Sequence, residues 1–353
     1  MSTFDLVVVG CGGGPNEHNL SSYLLKPSEK TWSEGIVALE AGSGIGALTR
    51  ILERTPDIFD QAGRDHELLK PHAPAEVLSW IRCYLISHAH MDHINSLVLC
   101  AGSLAGTTRS VYAVQQTLKD IEQVFSDRLW PNLASWDGSN GTSLIYKQLQ
   151  LDGRYEQISD GISVRTMPLS HGRMRNKVTY ESAAFFLRHD ASNKELLFFG
   201  DVEPDTISRR GWNRDIWRAA AQKIPYTLST IFIECSYPSG RLADRLYGHM
   251  SPEHLISELI SLADEVVKVR RAVKGGEQPV ARKKQRLEVD SAEERRNALS
   301  GLHVYIIHCK EDLGQQLDKP VHRVIEEQVT KLVQTEQLGA KIIAAEQGML
   351  IHI

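Results

Sequence analysis

Residues 81–102 read IRCYLISHAHMDHINSLVLCAG. An apolar run suited to a buried strand ends at Ser87, four side chains able to ligate a metal follow within six positions, and an apolar helix is expected from about Ile94. In extended backbone His88 and His90, two apart, project the same way. The following turn presents Asp92 and His93 at the helix start, so imidazoles and a carboxylate converge on a small volume. Mixed nitrogen and oxygen donors suit zinc, and also manganese or iron. A lone histidine here would more often be structural. Three histidines and an aspartate at H-x-H-x-D-H spacing resist that explanation, because titratable groups clustered at a strand end do nothing for packing.

The remaining donors are expected at other strand ends. PLSHG puts His171 after a strand beginning near Ile162, LLFFGDVEP puts Asp201 after a fully apolar strand, and HVYIIHCKED puts His308 after another. Singly, each is a capped strand end or a turn residue; jointly they supply the missing half of a dinuclear site. Runs such as DLVVVG, GIVALEAG, SVYAV, SAAFFLRH, TIFIECS and AKIIAAEQGMLIHI also read as largely buried strands. Segments with helical spacing lie between them, including IGALTRILERT, VQQTLKDIEQVF, PEHLISELISLADEVVKV and VHRVIEEQVTKLV. Many strands with interleaved helices indicate an α/β protein with helices layered over sheet. No internal repeat is visible.

The stretch VVVGCGGGPNEHNLSSYLL, residues 7–25, invites a dinucleotide-binding reading. That fingerprint needs G-x-G-x-x-G passing directly into a helix. Here Pro15 takes the third glycine's place and NLSSYLL reads as a second strand. The glycines therefore make a tight strand-to-strand connection near the floor of the site, and no nucleotide cofactor is expected. A similar loop, EAGSGIG at 40–46, precedes a helix and is placed to line the site.

The 353 residues are 42% hydrophobic, enough for a large core, and are read as one domain spanning 1–353. A charged insertion, poor in large apolar residues, is expected at about 268–297; its RKKQR run reads more simply as a solvated loop than as an RNA-binding arm, since acidic residues follow. Net charge is −4, so no global positive field gathers nucleic acid or anionic lipid. Five widely spaced cysteines without a C-x-x-C pair suit a reducing cytoplasm. Neither a signal peptide nor a membrane span is expected.

The ordered set HAHMDH, SHG, GD and IIHC resembles the metallo-β-lactamase superfamily, an αββα sandwich with a binuclear metal centre between its sheets. Within it, HAHMDHINSLVLCAG is similar to the H-x-H-L-D-H signature of the class II cyclic-nucleotide phosphodiesterases, the fungal low-affinity cAMP enzymes among them. GCGGGP followed by NLSSYLL, and IFIECSYP followed by LYGHMSPEHL, carry the resemblance from Asp5 to about His308. Met91 stands where the signature has leucine, and Ala101 and Gly102 depart from its usual pair; these changes are expected to alter packing behind the ligands and to leave the donor set whole.

The resemblance implies that His88, His90 and His171 hold one divalent metal, zinc in the first instance, and Asp92, His93 and His308 a second, with Asp201 bridging. Two metals about 3.5–4 Å apart can share a hydroxide and clamp a phosphoryl group; Asp92 would orient that hydroxide. By resemblance to phosphodiesterase members such as the tRNA 3′ processing nuclease, His249 would protonate the leaving oxygen and Glu234 would orient its imidazole. The plainer reading leaves His249 in a loop before a helix that Ser251 caps and Pro252 begins. Glu40 stands where many superfamily members have aspartate and is given a supporting role.

The expected activity is hydrolysis of 3′,5′-cyclic nucleotides, cAMP and secondarily cGMP, to 5′-monophosphates, lowering cyclic-nucleotide signalling. No stable nucleic-acid partner and no membrane are expected; the resemblance admits a homodimer. Three alternatives stay open: an RNA 3′-end endonuclease, a thioester or lactone hydrolase that dispenses with His249, and a noncatalytic cyclic-nucleotide sensor.

Overall fold

The apolar runs form the strands of two mixed sheets. The computed structural model describes residues 2–60, 71–103, 106–138, 141–274, 292–314 and 316–353. The first sheet holds β1 (Phe4–Gly10), β2 (Ser22–Pro27), β3 (Ile36–Leu39), β4 (Ile81–Leu85), β5 (Arg109–Ala113), β6 (Ala134–Ser135), β7 (Leu144–Gln148) and the late β15 (Leu350–His352). Their order is β15-β1-β2-β3-β4-β5-β7-β6, antiparallel up to β3 and parallel from there on. The second sheet holds β8 (Glu156–Ser159), β9 (Ile162–Arg173), β10 (Thr179–His189), β11 (Glu195–Phe199), β12 (Leu228–Glu234), β13 (His303–Ile307) and β14 (Lys341–Ala344), in reverse chain order. It is antiparallel from β8 to β11 and parallel from β11 to β14.

Alternating side chains explain why these strands read as continuous apolar runs. On β1, Phe4, Leu6 and Val8 face the second sheet, where they join Phe185, Leu187, Leu196 and Phe198. Val7 and Val9 turn the other way, under the helices α1 (Ile45–Arg54), α2 (Pro74–Ser79), α3 (Met91–Cys100) and α4 (Gln115–Val124). On β10, Ala184 and Phe186 likewise face away from the inter-sheet core. They pack beneath α6 (Trp212–Ala221), α7 (Pro252–Lys274) and α9 (Val321–Thr335), while the short α5 (Asp205–Ser208) and α8 (Ala292–Arg295) flank this layer. Each fully buried phenylalanine contributes about 1.5–3 kcal/mol by leaving water. Both faces of each sheet are thus covered, giving the αββα sandwich of the metallo-β-lactamase type.

Three boundaries differ from expectation. Helix α3 begins at Met91 and not near Ile94, because Asp92 and His93 occupy its first turn and interrupt the apolar pattern there. Strand β9 runs past His171 to Arg173, continuing its pairing with β10 through Arg173 opposite Thr179. Helix α7 continues to Lys274, with Val266 and Val267 buried against the core, so residues 268–274 are helical. The stretch 275–291, including RKKQR, lies outside the described residues. The helix α6 has buried residues at Asn213, Ile216, Trp217, Ala220 and Ala221, a helical spacing present in the sequence and missed there. Among the described residues no helix is long and apolar enough to cross a membrane.

Candidate metal centre

The donors gather where strands β4, β11, β12 and β13 end, the carboxyl edge at which open α/β sheets bind ligands. His88 lies three residues past β4, Asp201 two past β11, Glu234 at the end of β12 and His308 directly after β13. Close backbone approach brings these edges together. Gly12 bridges Cys309, and a Cβ on Gly13 would sit 2.6 Å from the His308 ring. A Cβ on Gly42 would sit 2.1 Å from the Asp92 carbonyl oxygen, so the 40–46 loop packs directly on the start of α3.

One donor group comprises His88, His90, His171 and Asp201, all with ligand atoms within 4.8 Å of one another. His171 Nδ1 donates to the Gly248 carbonyl at 2.9 Å, which leaves Nε2 with its lone pair facing inward. His88 Nδ1 is held by Ser87 Oγ at 2.9 Å. His90 Nδ1 then lies 3.0 Å from His88 Nε2 and 3.3 Å from His171 Nε2. Nitrogens around one tetrahedral zinc would be separated by about 3.3 Å, given Zn–N bonds of about 2.0–2.1 Å. Burial keeps His88 well below the ordinary histidine range and pushes His171 down to about 4, so both are neutral, as metal ligation requires.

The second group comprises Asp92, His93 and His308. His308 Nε2 stands 3.2 Å from both Asp92 Oδ2 and His93 Nε2. Asp201 lies between the groups: Oδ1 is 3.3 Å from His93 Nε2, while Oδ2 is 3.2 Å from His308 Nε2 and 3.5 Å from His171 Nε2. Against the cost of burial, His308 and His93 hold Asp201 well below the usual carboxylate range. Seven predicted donors thus converge from four separate segments: 88–93, His171, Asp201 and His308. Imidazole lone pairs facing one another around a buried carboxylate are a poor hydrogen-bond network and a good cation cage, so the donor set suits a divalent metal.

Beside the cage, His249 Nδ1 lies 3.0 and 3.1 Å from the two Glu234 oxygens. Glu234 also accepts from Val202 N at 2.7 Å and from Ser236 Oγ at 2.6 Å. Burial pushes Glu234 up to about 7 and His249 down to about 4. His171, Asp201, Glu234 and His249 form a further ligand-capable group, with Nδ1 of His249 already engaged by Glu234. Ser251 precedes α7 as expected, yet its hydroxyl bonds the side chains of Glu253 and His254. Glu40, at φ 57°, accepts from Ser87 N at 3.1 Å and lies 3.4 Å from His93 Nδ1. Met91 is 54% exposed: it faces outward at the mouth of the site and does not pack behind the ligands.

Sequence reasoning missed Ser236 and Lys310. Ser236 Oγ reaches both Glu234 and His308, 3.1 Å from its Nδ1. Lys310 Nζ lies 3.7 Å from Asp92 Oδ2 and donates to the Gly13 carbonyl. Its one signal was position, two residues after a candidate ligand.

The family described as cAMP phosphodiesterases class-II matches residues 69–348. A 3′,5′-cyclic-nucleotide phosphodiesterase of Schizosaccharomyces pombe is 30% identical over 275 residues, covering 74% of this chain and 75% of that protein. A probable 3′,5′-cyclic-nucleotide phosphodiesterase of Yersinia pestis is 28% identical over 358 residues, covering 98% and 88%. The crystal structure of unliganded yeast PDE1 superposes with a TM-score of 0.80 at 23% identity over the whole of both chains, a likeness of fold.

Proposed function

The chain belongs to the class-II cAMP phosphodiesterase family, and from that premise we propose how its histidine-rich centre hydrolyses 3′,5′-cyclic nucleotides. The substrate we favour is cAMP, with cGMP second, and the product is the 5′-monophosphate. The observation that carries the reading is the Glu234–His249 pair, a buried couple in contact at 3.0 Å and set against a cage of seven donors.

In this proposal His88, His90 and His171 would hold one zinc ion and Asp92, His93 and His308 a second, with Asp201 placed between the two donor sets. Metals bound there supply Lewis acidity, neutralising phosphoryl charge and making water nucleophilic near neutral pH. Asp92 orients the attacking water oxygen. As that oxygen bonds to phosphorus and gives up its proton to solvent, the P–O3′ bond breaks, and the departing O3′ takes a proton from His249, which solvent then restores. Glu234 holds Nδ1 of that imidazole, so the proton delivered is the one on Nε2. Because both sheets supply ligands, we take residues 1–353 as one catalytic domain. The five free, buried cysteines suit the cytoplasm.

The test is incubation of metal-loaded protein with cAMP, with and without a chelator, separating 5′-AMP from 3′-AMP. Chelator-sensitive 5′-AMP is expected. No turnover at full metal occupancy would sink the reading and make RNA 3′ ends the next substrate.

A further inference from the structure

Two clefts lie near the centre. One of about 700 Å³ is lined by Glu311, Asp312 and Asp318 against the single ammonium of Lys319, with His322 beside them, and includes none of the candidate ligands, so its net charge opposes a phosphate ester. The other, about 520 Å³, ends at Asp92 and Lys310. Its walls are Gly13, Gly14, Pro15, Leu20 and Met91, with the Asn95 amide and Glu17 as further polar groups. Lys310 is held at the inner end from two directions: its backbone N–H bonds Ser236 O at 2.9 Å, and its ammonium caps the Gly13 carbonyl. Its ammonium stands 3.7 Å from Asp92 Oδ2.

We propose that this cleft is the subsite for the purine nucleoside of the cyclic nucleotide, with Lys310 contacting the phosphoryl oxygens. The inference rests on the phosphodiesterase reading and names where that substrate lies. Pro15 and Leu20 offer apolar surface, and the Met91 thioether a polarisable one, suited to a purine face. Met91 lies next to Asp92 on the first turn of α3, so a base against its side chain keeps the attached phosphate within reach of the donor cage. Asn95, one turn on, makes only a 3.5 Å contact with Gly42 O, and its amide can both donate to a purine ring nitrogen and accept from an exocyclic amine. A lysine ammonium at the inner end matches a phosphate as a point charge.

The test compares Met91→Ala, Asn95→Leu and Lys310→Met in two measurements: calorimetric titration of the metal-loaded protein with 5′-AMP, and kcat/KM for cAMP against base-less ribose 3′,5′-cyclic phosphate. The two wall variants are expected to weaken 5′-AMP binding and to lower the preference for cAMP over the base-less ester, each by about tenfold. Lys310→Met is expected to lower kcat/KM for both esters by about 10- to 150-fold and to preserve their ratio. Wild-type 5′-AMP affinity and unchanged preference in both wall variants would overturn the subsite while cAMP hydrolysis stands. Weakened 5′-AMP binding in the wall variants of a protein that fails to hydrolyse cAMP would support the subsite and refute the reaction.

Discussion

Two glutamate–histidine pairs face the centre from opposite sheets, and they are built alike. Glu40 follows β3 and accepts from the backbone of Ser87, past the neighbouring parallel strand β4. Glu234 ends β12 and accepts from the backbone of Val202, past the neighbouring parallel strand β11. Each carboxylate then meets Nδ1 of a histidine at the start of a helix, His93 on α3 and His249 just before α7. The difference lies in the other nitrogen. His93 Nε2 stands 3.2–3.3 Å from His308 and Asp201, inside the donor cage. His249 Nε2 makes no hydrogen bond among the described residues, and its nearest ion-pair approach to the cage is Nδ1, 3.8 Å from Asp201. Glu40 approaches His93 loosely at 3.4 Å, whereas Glu234 grips His249 at 3.0 Å. On the proposed reading one frame serves two tasks: it would hold a ligand where the second nitrogen is committed and a proton donor where that nitrogen is spare.

The largest effect expected is from His93→Ala, which should abolish turnover and lower the metal content read by atomic absorption. Wild-type metal content and activity would break the comparison at its root. Next, His249→Ala should lower kcat for cAMP by about 10²–10⁴ with metal content intact. The loss should be far smaller for a p-nitrophenyl phosphodiester, whose leaving group needs no proton. Equal losses on both substrates would remove His249 from proton transfer.

The two glutamates sharpen the contrast. Glu40→Gln should weaken metal affinity by about 10- to 100-fold, with activity restored by excess metal. Glu234→Gln should lower kcat at saturating metal, and excess metal should not restore it; identical responses would mean that the pairs do the same work. Smallest is Ser236→Ala, which deletes a buried hydroxyl shared by Glu234 and His308. It should cost about 1–3 kcal/mol of stability in denaturant unfolding, and an unchanged midpoint would show that the two residues need no link.

The donors at 88–93 were legible because chain adjacency alone brings them together, and His171, Asp201 and His308 because polar residues ending apolar runs stand out. The Glu234–His249 pair was reached through family resemblance, since 15 residues and a loop separate the two. Ser236 and Lys310 carry no such signal: a serine and a lysine are ordinary surface residues until β12 and β13 are laid side by side. The start of α3 was placed late for a related reason. Ligands in a helix's first turn replace the apolar residues by which its periodicity is recognised.

The bridge between Gly12 and Cys309, and the packing of Gly13 on His308, join segments that leave the ribosome far apart in time. Asp92 and His308 are 216 residues apart, roughly 10–40 s of synthesis at about 5–20 residues per second. On the proposed ligand set, the HAHMDH segment would in that interval be a partial chelator without its later partners. A half-built imidazole set follows the general affinity order, in which copper(II) outcompetes zinc. On that reading, choice of metal would belong to the finished geometry, and the nascent chain would depend on the cell to keep the stronger binder away until His308 arrives.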